Sequence, residues 1–324
     1  MGVCLLVTIT AGGDAAAANQ DQSSESTTTA ALRINQLQFV GSHNSYKKAM
    51  DAGHFEALKA RHPQAAASLE YAHIPLAEQL DQGMRVLEID LFYDPLHAKF
   101  PVGHVQQIDM NSHCTDLVDC LKQIRSWSMD NLRHIPIWLM FNLKDQQIEG
   151  LPAPVPFDRN ALRLLDQVFA RSLGDSLITP NEVAGLNWPS LDEARGKFLL
   201  LLDESGPKRD WYLEHGSPLM FANVAEDHPR AGIMVINDPV GQQAEIRRLV
   251  GRGYMVRTRA DADTVEARMN DTRRRDAAFT SGAQAISTDY YRPAKHFGTN
   301  YQVTLDGTVQ CNPINTTLGC VVTE

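Results

Sequence analysis

The chain has 324 residues, 43% hydrophobic and 21% charged, a composition typical of a globular protein with a large core. Its formal net charge of -9 argues against nucleic-acid binding, which normally requires a basic surface. The same charge gives no general attraction to anionic lipid, so an anionic substrate would need a local positive centre.

The first 31 residues are predicted to lie outside the folded domain. Residues 1–18 contain a short apolar segment followed by small residues, which is typical of a secretory signal peptide cleaved near Ala15–Ala18. Residues 19–31 are polar and low in complexity, which predicts a disordered leader. No other stretch is long and apolar enough to span a membrane. We therefore expect an exported protein, secreted or periplasmic.

Eight short apolar runs rich in β-forming residues follow along the chain. Helix-like or loop segments separate most of them, and alternation of this kind implies parallel strand pairing. The predicted strands are Gln36–Val40, Arg85–Phe92, Ile135–Leu143, Lys197–Leu202, Leu219–Val224, Gly232–Ile236, Tyr254–Thr258 and Ala283–Thr288. The segments with helical spacing include Leu117–Met129, Arg159–Ser172, Gln242–Gly251 and Thr264–Ser281.

These elements predict an α/β fold, a closed (β/α)8 TIM barrel over residues 32–295. A doubly wound open sheet is the alternative, but it would normally have a glycine-rich phosphate-binding turn after the first strand, and none is present. Residues 296–324 have little apolar periodicity and are predicted to form a C-terminal arm that packs on the barrel.

The cysteines support export independently. Cys4 would leave with the signal peptide, and the remaining four form two local pairs, Cys114 with Cys120 and Cys311 with Cys320. Local pairs in an exported protein indicate disulfides that close small loops. A zinc site is the competing interpretation, but the pairs lie far apart in sequence and lack the two-residue spacing of such sites.

Polar residues follow nearly every predicted strand, at the end of a barrel where catalytic residues are found. A purely structural barrel would gain nothing from this placement. The strand ends in chain order carry Ser42-His43-Asn44-Ser45, Glu88 and Asp90, Asn142 with Lys144 and Asp145, Asp203 and Glu204, Asn223, Asn237 and Asp238, Arg257 with Arg259 and Asp261, and Asp289.

The second strand carries two carboxylates, Glu88 and Asp90, which a period of two directs to the same face. Two neighbouring carboxylates repel, so a positive charge is expected between them. A divalent cation would supply it, and Lys or Arg side chains from neighbouring strands are the alternative. With Asn44 and Asn142 these residues form an all-oxygen set suited to Ca²⁺ or Mg²⁺ and poor for zinc.

Two histidines are candidates for acid-base catalysis. His43 titrates near neutrality and follows the first strand, although a structural histidine is about as common in such a position. His104 lies in a short apolar patch of the loop after the second strand and could return to the strand ends. His97 is interpreted as a solvated loop residue, and His113 as held by the adjacent Cys114. His134 precedes the third strand and is assigned to the opposite end.

The sequence resembles the calcium-dependent phosphoinositide-type phospholipases C, and most closely their small exported branch. The resemblance covers roughly residues 36–295. A related family, the glycerophosphodiester phosphodiesterases, usually has His-Arg-Gly where this chain has His43-Asn44-Ser45. The motifs that carry the resemblance are Gly-Ser-His-Asn-Ser-Tyr at 41–46, Leu-Glu-Ile-Asp at 87–90, the His104 region leading to Asp119-Cys120-Leu and Trp127-Ser, His134-Ile-Pro through Asn142-Leu-Lys, and the segment from Gly282 to Tyr290.

The resemblance implies a TIM barrel of the phospholipase C-like phosphodiesterase type, an enzyme in which a nucleophile attacks a phosphodiester in line. His43 would be the general base toward the inositol 2-hydroxyl, and His104 the general acid for the diacylglycerol oxygen. A metal on Asn44, Glu88 and Asp90 would offset charge on the phosphoryl oxygens. Asn142 stands where the family usually has Glu, which removes a negative charge from the predicted metal set.

Two further residues are assigned by their strand-end position. Lys144 could contact phosphate and Arg257 could orient a polar headgroup. A solvated role for Lys144, and an ion pair of Arg257 with Asp289 or Asp261, are equally compatible with the sequence.

Three functions therefore stand. The first is a metal-dependent phosphatidylinositol-type phospholipase C, monomeric and in peripheral contact with a membrane. The second is hydrolysis of glycerophosphodiesters or other phospholipid headgroups, and the third is a calcium-dependent headgroup-binding module without turnover.

Overall fold

The structure, a computed structural model, describes residues 1–3, 31–214, 216–316 and 320–322. The predicted signal peptide and leader fall mainly on residues 4–30, outside the described residues, and stay predictions. Residues from Leu32 onward belong to one unit, which contains every helix and strand described below. The division into barrel and C-terminal arm also stays a prediction.

In the described part of the chain, eight parallel strands build the central sheet, and each lies within one of the predicted runs or within two residues of its end. A short ninth strand, β9 (Gln310–Cys311), pairs antiparallel with the start of the first strand. The eight parallel strands are β1 (Leu37–Ser42), β2 (Val86–Leu91), β3 (Ile137–Leu143), β4 (Phe198–Leu202), β5 (Met220–Ala222), β6 (Ile233–Val235), β7 (Met255–Arg259) and β8 (Ala285–Thr288).

The strand order is β5-β4-β3-β2-β1-β8-β7-β6, which is that of a nearly closed (β/α)8 barrel. The predicted fold class is confirmed. The expectation of full closure fails at one seam, because the described residues form no ladder between β5 and β6. There the side-chain Oδ1 of Asn223 accepts a hydrogen bond of 3.2 Å from the backbone N–H of Val235.

Ten α-helices occur in the described residues, and three of the four predicted helices match within one residue. The fourth, Thr264–Ser281, is divided because Asn270 adopts a left-handed conformation with φ of 52°. The helices are α1 (Ala52–Arg61), α2 (Pro63–Ser68), α3 (Leu76–Asp81), α4 (Leu117–Asp130), α5 (Arg159–Leu173), α6 (Leu191–Ala194), α7 (Gly206–Leu213), α8 (Gln243–Gly251), α9 (Val265–Met269) and α10 (Arg273–Ser281).

The alternation of side chains along β2 separates the core from the site. Leu87, Ile89 and Leu91 belong to the apolar core that also contains the buried face of α4. The intervening Glu88 and Asp90 point to the other face of the sheet, into the barrel, because successive strand residues face opposite sides. One strand thus contributes both to the core and to the inside of the barrel.

Two disulfides have the predicted pairing. Cys114–Cys120 closes a loop at the start of α4, and Cys311–Cys320 closes one beside β9. The zinc interpretation is therefore wrong for these cysteines. Among the helices that the structure describes, none combines the length and the hydropathy needed to cross a membrane.

Candidate active site

The carboxyl ends of the parallel strands meet at one end of the barrel, called the mouth here. The register places Ser42 beside both Thr288 and Leu87, so His43 follows β1 at the level of Glu88, and it places Asp90 beside Asn142. The carboxyl ends of the strands converge, as the sequence analysis predicts, because the strands are parallel.

His43 follows β1 and is held from two sides. Its Nδ1 lies 2.9 Å from Oδ1 of Asp289, the residue after β8, and its Nε2 lies 3.8 Å from Oε1 of Glu88. The guanidinium of Arg259 lies 3.3 Å from the same Nδ1 and 3.4 Å from Oδ2 of Asp289. The shorter contact to the carboxylate indicates that Nδ1 carries the proton and donates it to Asp289, which leaves the Nε2 lone pair for the mouth.

Charge and burial keep His43 neutral. Burial lowers the pKa of His43 well below its usual value, and the positive charge of Arg259 lowers it further. Glu88 acts in the opposite sense but does not reverse the shift. A neutral imidazole with a free Nε2 at neutral pH is the form that a general base requires.

His104 is held by a second carboxylate. Its Nδ1 lies 3.3 Å from Oδ2 of Asp109, and its backbone N–H donates to the carbonyl oxygen of the same residue. The other carboxylate oxygen of Asp109 accepts from Nζ of Lys47, a fully buried lysine, at 3.1 Å. His104 is near enough to His43 to contribute to the lowering of the pKa of His43. Two histidines, each fixed through Nδ1, therefore serve the same mouth.

The two carboxylates of β2 are paired with cations of the chain. Oε2 of Glu88 accepts from Arg257 at 2.6 Å, and Oε1 accepts from Nδ2 of Asn142 at 2.9 Å. Oδ2 of Asp90 lies 2.9 Å from Nζ of Lys144 and accepts from the hydroxyl of Tyr46 at the same distance. The expected neutralising charge is thus present, and it comes from Lys144 after the neighbouring β3 and from Arg257 on β7 across the barrel. Arg257 pairs with Glu88 rather than with Asp289 or Asp261.

Lys144 is charged in this setting. Burial alone would lower the pKa of Lys144, but Asp90 and other nearby carboxylates outweigh burial and raise it. The same ammonium group lies at the mouth beside His104. It is therefore a cation that a bound phosphate could meet.

The predicted calcium ligands fit a hard cation in their donor chemistry. In the described part of the chain, no three His, Cys, Asp or Glu side chains are grouped to hold a metal, so amide oxygens would have to contribute. Oδ1 of Asp90 is buried and has no hydrogen-bond partner within the described residues. The amide of Asn44 is oriented by donation from its Nδ2 to the hydroxyl of Tyr71 at 2.7 Å. Carboxylate and amide oxygens of this kind are the ligands that Ca²⁺ prefers.

A polar cavity of about 400 Å³ opens between the ends of β3, β4, β5 and β6. Asp203 lies in its wall, and burial raises the pKa of Asp203 to about 6. Burial also raises the pKa of Glu204, whose Oε1 accepts from the backbone N–H of Leu143. The wall includes Asn142, Lys144, Asp145, Ser205, Lys208, Asn223 and Asn237. Hydroxyl-rich ligands suit such a lining of donors and acceptors.

Several residues of this site were not assigned from the sequence. The sequence analysis places Asp289 at a strand end and names it as a possible partner of Arg257, but its contact with His43 could have been anticipated because β8 neighbours β1 in a barrel. Arg259 was noted only as a strand end, on β7. No sequence pattern indicated a role for Asp109 or Lys47, since both lie in irregular segments and come into contact only in the folded protein.

A protein-family model matches most of this chain. Residues 32–102 and 96–313 match the sequence model of a family described as phosphoinositide phospholipase C, Ca²⁺-dependent. A search of curated protein sequences gives no match.

Three solved structures share the fold. A Ca²⁺-dependent phosphatidylinositol-specific phospholipase C from Streptomyces antibioticus has a TM-score of 0.58 at 19% identity, covering 83% of this chain and 98% of that one. A calcium-dependent phosphoinositol-specific phospholipase C from Pseudomonas sp has 0.54 at 17%, covering 86% and 95%. The phosphatidylinositol-specific phospholipase C from Listeria monocytogenes has 0.52 at 14%, covering 80% and 89%. At these identities the likeness concerns the fold.

Proposed function

Because the chain belongs to the Ca²⁺-dependent phosphoinositide phospholipase C family, we propose that it cleaves phosphatidylinositol-type lipids between glycerol and phosphate. The observation that carries the proposal is the pair of histidines at one mouth. His43 and His104 are each anchored through Nδ1 to a carboxylate, which leaves both Nε2 atoms for a substrate. An acid and a base positioned in this way can serve the two ends of one displacement.

In the first step His43 is the base. Its Nε2 accepts the proton of the inositol 2-hydroxyl, and the freed oxygen attacks phosphorus. The P–O bond to glycerol breaks, and His104 donates a proton to the leaving glycerol oxygen. The products are a cyclic inositol phosphate and diacylglycerol, and both histidines have changed protonation state. Water can then open the cyclic phosphate with the two roles exchanged, which restores the starting enzyme.

Asp289 and Asp109 orient the two imidazoles through the step. The hydrogen bond from Nδ1 of His43 to Asp289 fixes the tautomer and stabilises the imidazolium that proton abstraction creates. Asp109 fixes the ring of His104 in the same manner, and the buried Lys47 balances its charge. Each carboxylate positions its own histidine and does not contact the reacting atoms.

Ca²⁺ would be held by oxygens of Asn44, Glu88, Asp90 and Asn142, and Mg²⁺ could use the same donors. When bound, a divalent cation stabilises negative charge on phosphoryl oxygens and makes a nearby hydroxyl more acidic. The buried Asp90 Oδ1, which lacks a hydrogen-bond partner among the described residues, supports this assignment.

The remaining assignments concern how the substrate is held. Lys144 contacts the phosphate from the rim, and Arg257 orients the headgroup through its contacts at the base of the site. The polar cavity beside Lys144 accommodates the inositol hydroxyls, with Asp203 as an acceptor. A lipid substrate requires peripheral contact with a membrane surface. We also propose that the protein is exported and monomeric, and these two proposals rest on the sequence predictions alone.

The test is cleavage of phosphatidylinositol by purified protein with and without Ca²⁺, with products identified by phosphorus NMR. We expect a calcium-dependent cyclic phosphate, and we expect His43→Ala and His104→Ala each to abolish its formation. Turnover that survives both substitutions would refute the assigned roles. Glycerol phosphate from glycerophosphodiesters, without any cyclic product, would identify the related activity instead. Calcium-dependent binding to lipid vesicles without product would identify a binding module.

A further inference from the structure

An apolar cleft opens beside the proposed general acid. The cleft encloses about 170 Å³ between the loop after β2 and the loop after β3. One wall contains Phe92 and Val105 from the first loop, and the facing wall contains Ile148, Leu151, Pro152 and Pro154 from the second. Ile148 is 45% exposed, so its side chain is accessible to a ligand that enters the cleft.

The cleft is continuous with the catalytic residues. His104 and Lys144 line it, so its inner end lies at the proposed acid and at the proposed phosphate contact. Lys144 also lines the polar cavity, together with Asp203 and Asn142. Polar and apolar binding spaces therefore meet at Lys144 and Gln146.

This arrangement matches the two halves of the substrate. A phosphodiester that joins a polyol to a lipid has a hydroxylated group on one side of phosphorus and a glyceryl ester on the other. With the phosphate at Lys144 and the headgroup in the polar cavity, the leaving group extends past His104 toward the apolar walls. The proton donor and the leaving oxygen then lie on the same side of phosphorus, as in-line displacement requires.

We propose that the cleft between the loops after β2 and β3 binds the glyceryl ester of the leaving diacylglycerol. The proposal rests on the proposed function and adds a binding site for the part of the substrate that departs. Ile148 and Leu151 supply apolar contacts that a lipid leaving group makes and that a small or charged leaving group does not. Removing such contacts typically lowers discrimination by one to two orders of magnitude.

The experiment compares two substrates. The first is a short-chain phosphatidylinositol used as monomers, so that cleft binding is separated from binding to a bilayer. The second is inositol cyclic phosphate, whose opening by water has no lipid leaving group and serves as an internal reference. The variants are Ile148→Ser, Leu151→Ser and the double substitution. The control is Leu132→Ser, because Leu132 is 75% exposed and precedes β3 at the opposite end of the barrel.

We expect the double variant to lower the ratio of the two kcat/KM values, lipid over cyclic phosphate, at least about tenfold. The control variant should keep the ratio within twofold. Short-chain diacylglycerol should inhibit cyclic phosphate opening by the parent enzyme, and more weakly in the double variant.

An unchanged ratio, or an equal loss with both substrates, would overturn the cleft as the leaving-group site while leaving the proposed function standing. A parent enzyme that turns over neither substrate would overturn the proposed function and the role of the cleft with it. Circular dichroism of each variant distinguishes an equal loss in a folded protein from misfolding, which would also remove both activities.

Discussion

Replacement of Arg257 by Met tests the charge balance of the site directly. Arg257 and Glu88 have side chains that are only 2% and 4% exposed, and their charged atoms lie 2.6 Å apart. Met preserves much of the length and volume of the arginine stem but removes the charge. Glu88 then keeps the hydrogen bond from the amide of Asn142 but no longer has the guanidinium beside it. We expect Arg257→Met to destabilise the protein strongly.

The magnitude follows from the contact. At 2.6 Å and an effective dielectric constant of about 20, the Coulomb attraction is roughly 6 kcal/mol before desolvation is considered. Loss of one partner from a buried pair costs about 3–5 kcal/mol in practice, because it leaves an uncompensated charge. In a domain of this size, each kcal/mol of destabilisation lowers Tm by about 2–4 °C. A loss of about 3 kcal/mol or more should therefore lower Tm by roughly 6 °C or more.

A matched surface pair supplies the control. Arg248 lies 2.6 Å from Glu226, the same separation, but these side chains are 45% and 23% exposed. Arg248→Met should therefore cost less than about 1 kcal/mol. In the double variant Arg257→Met with Glu88→Gln, the uncompensated charge is removed, and we expect recovery of at least about 2 kcal/mol.

The assay is urea unfolding followed by tryptophan fluorescence, without and with Ca²⁺. Ca²⁺ should stabilise Arg257→Met more than the parent, since Glu88 then lacks its guanidinium partner and binding to the folded state adds to its stability. A free energy of unfolding for Arg257→Met within about 1 kcal/mol of the parent would refute the reasoning, as would equal losses for the buried and the surface pair.

Three further predictions concern the reaction. Asp289→Asn should lower kcat by roughly 100-fold or more with the fold intact, because the amide no longer fixes the His43 tautomer; turnover and circular dichroism together check this. Burial and then Arg259 lower the pKa of His43, so Arg259→Gln should raise that pKa and move the acid limb of the kcat/KM profile to higher pH. Asp203, with a pKa of about 6, loses its charge as pH falls through that value, so KM for the inositol lipid should rise there. In Asp203→Asn that rise should be absent, with KM higher by roughly tenfold throughout.

Most of the fold follows from the sequence because periodicity is a local property. Alternating apolar runs and helical segments specify which elements form, and parallel pairing then brings their carboxyl ends together. The break at Asn270 was missed, since the residue is compatible with helix and only its left-handed φ of 52° ends α9. The open seam at β5 and β6 was missed because both strands are only three residues long, which the extent of the apolar runs does not reveal.

The site was predictable to the extent that strand ends define it. His43, Glu88 and Asn142 meet as expected because each lies on or beside a strand whose position in the barrel is fixed. The partner of Arg257 was not predictable, since it lies 169 residues away across the barrel and three acceptors were available by position. Lys47 was the hardest case, because a lysine in a loop is usually solvated and this one is fully buried against Asp109.

The charge balance gives a physical reason why Asn is compatible with position 142. Glu88 and Asp90 are offset by Arg257 and Lys144, so the formal charges at the base of the mouth cancel. A carboxylate at 142 would lie beside Glu88, where the amide now donates a hydrogen bond, and would replace that attraction by repulsion. The same cancellation means that a divalent cation brings excess positive charge to the site. An anionic phosphodiester reduces that excess, so Ca²⁺ and substrate should each bind more tightly in the presence of the other.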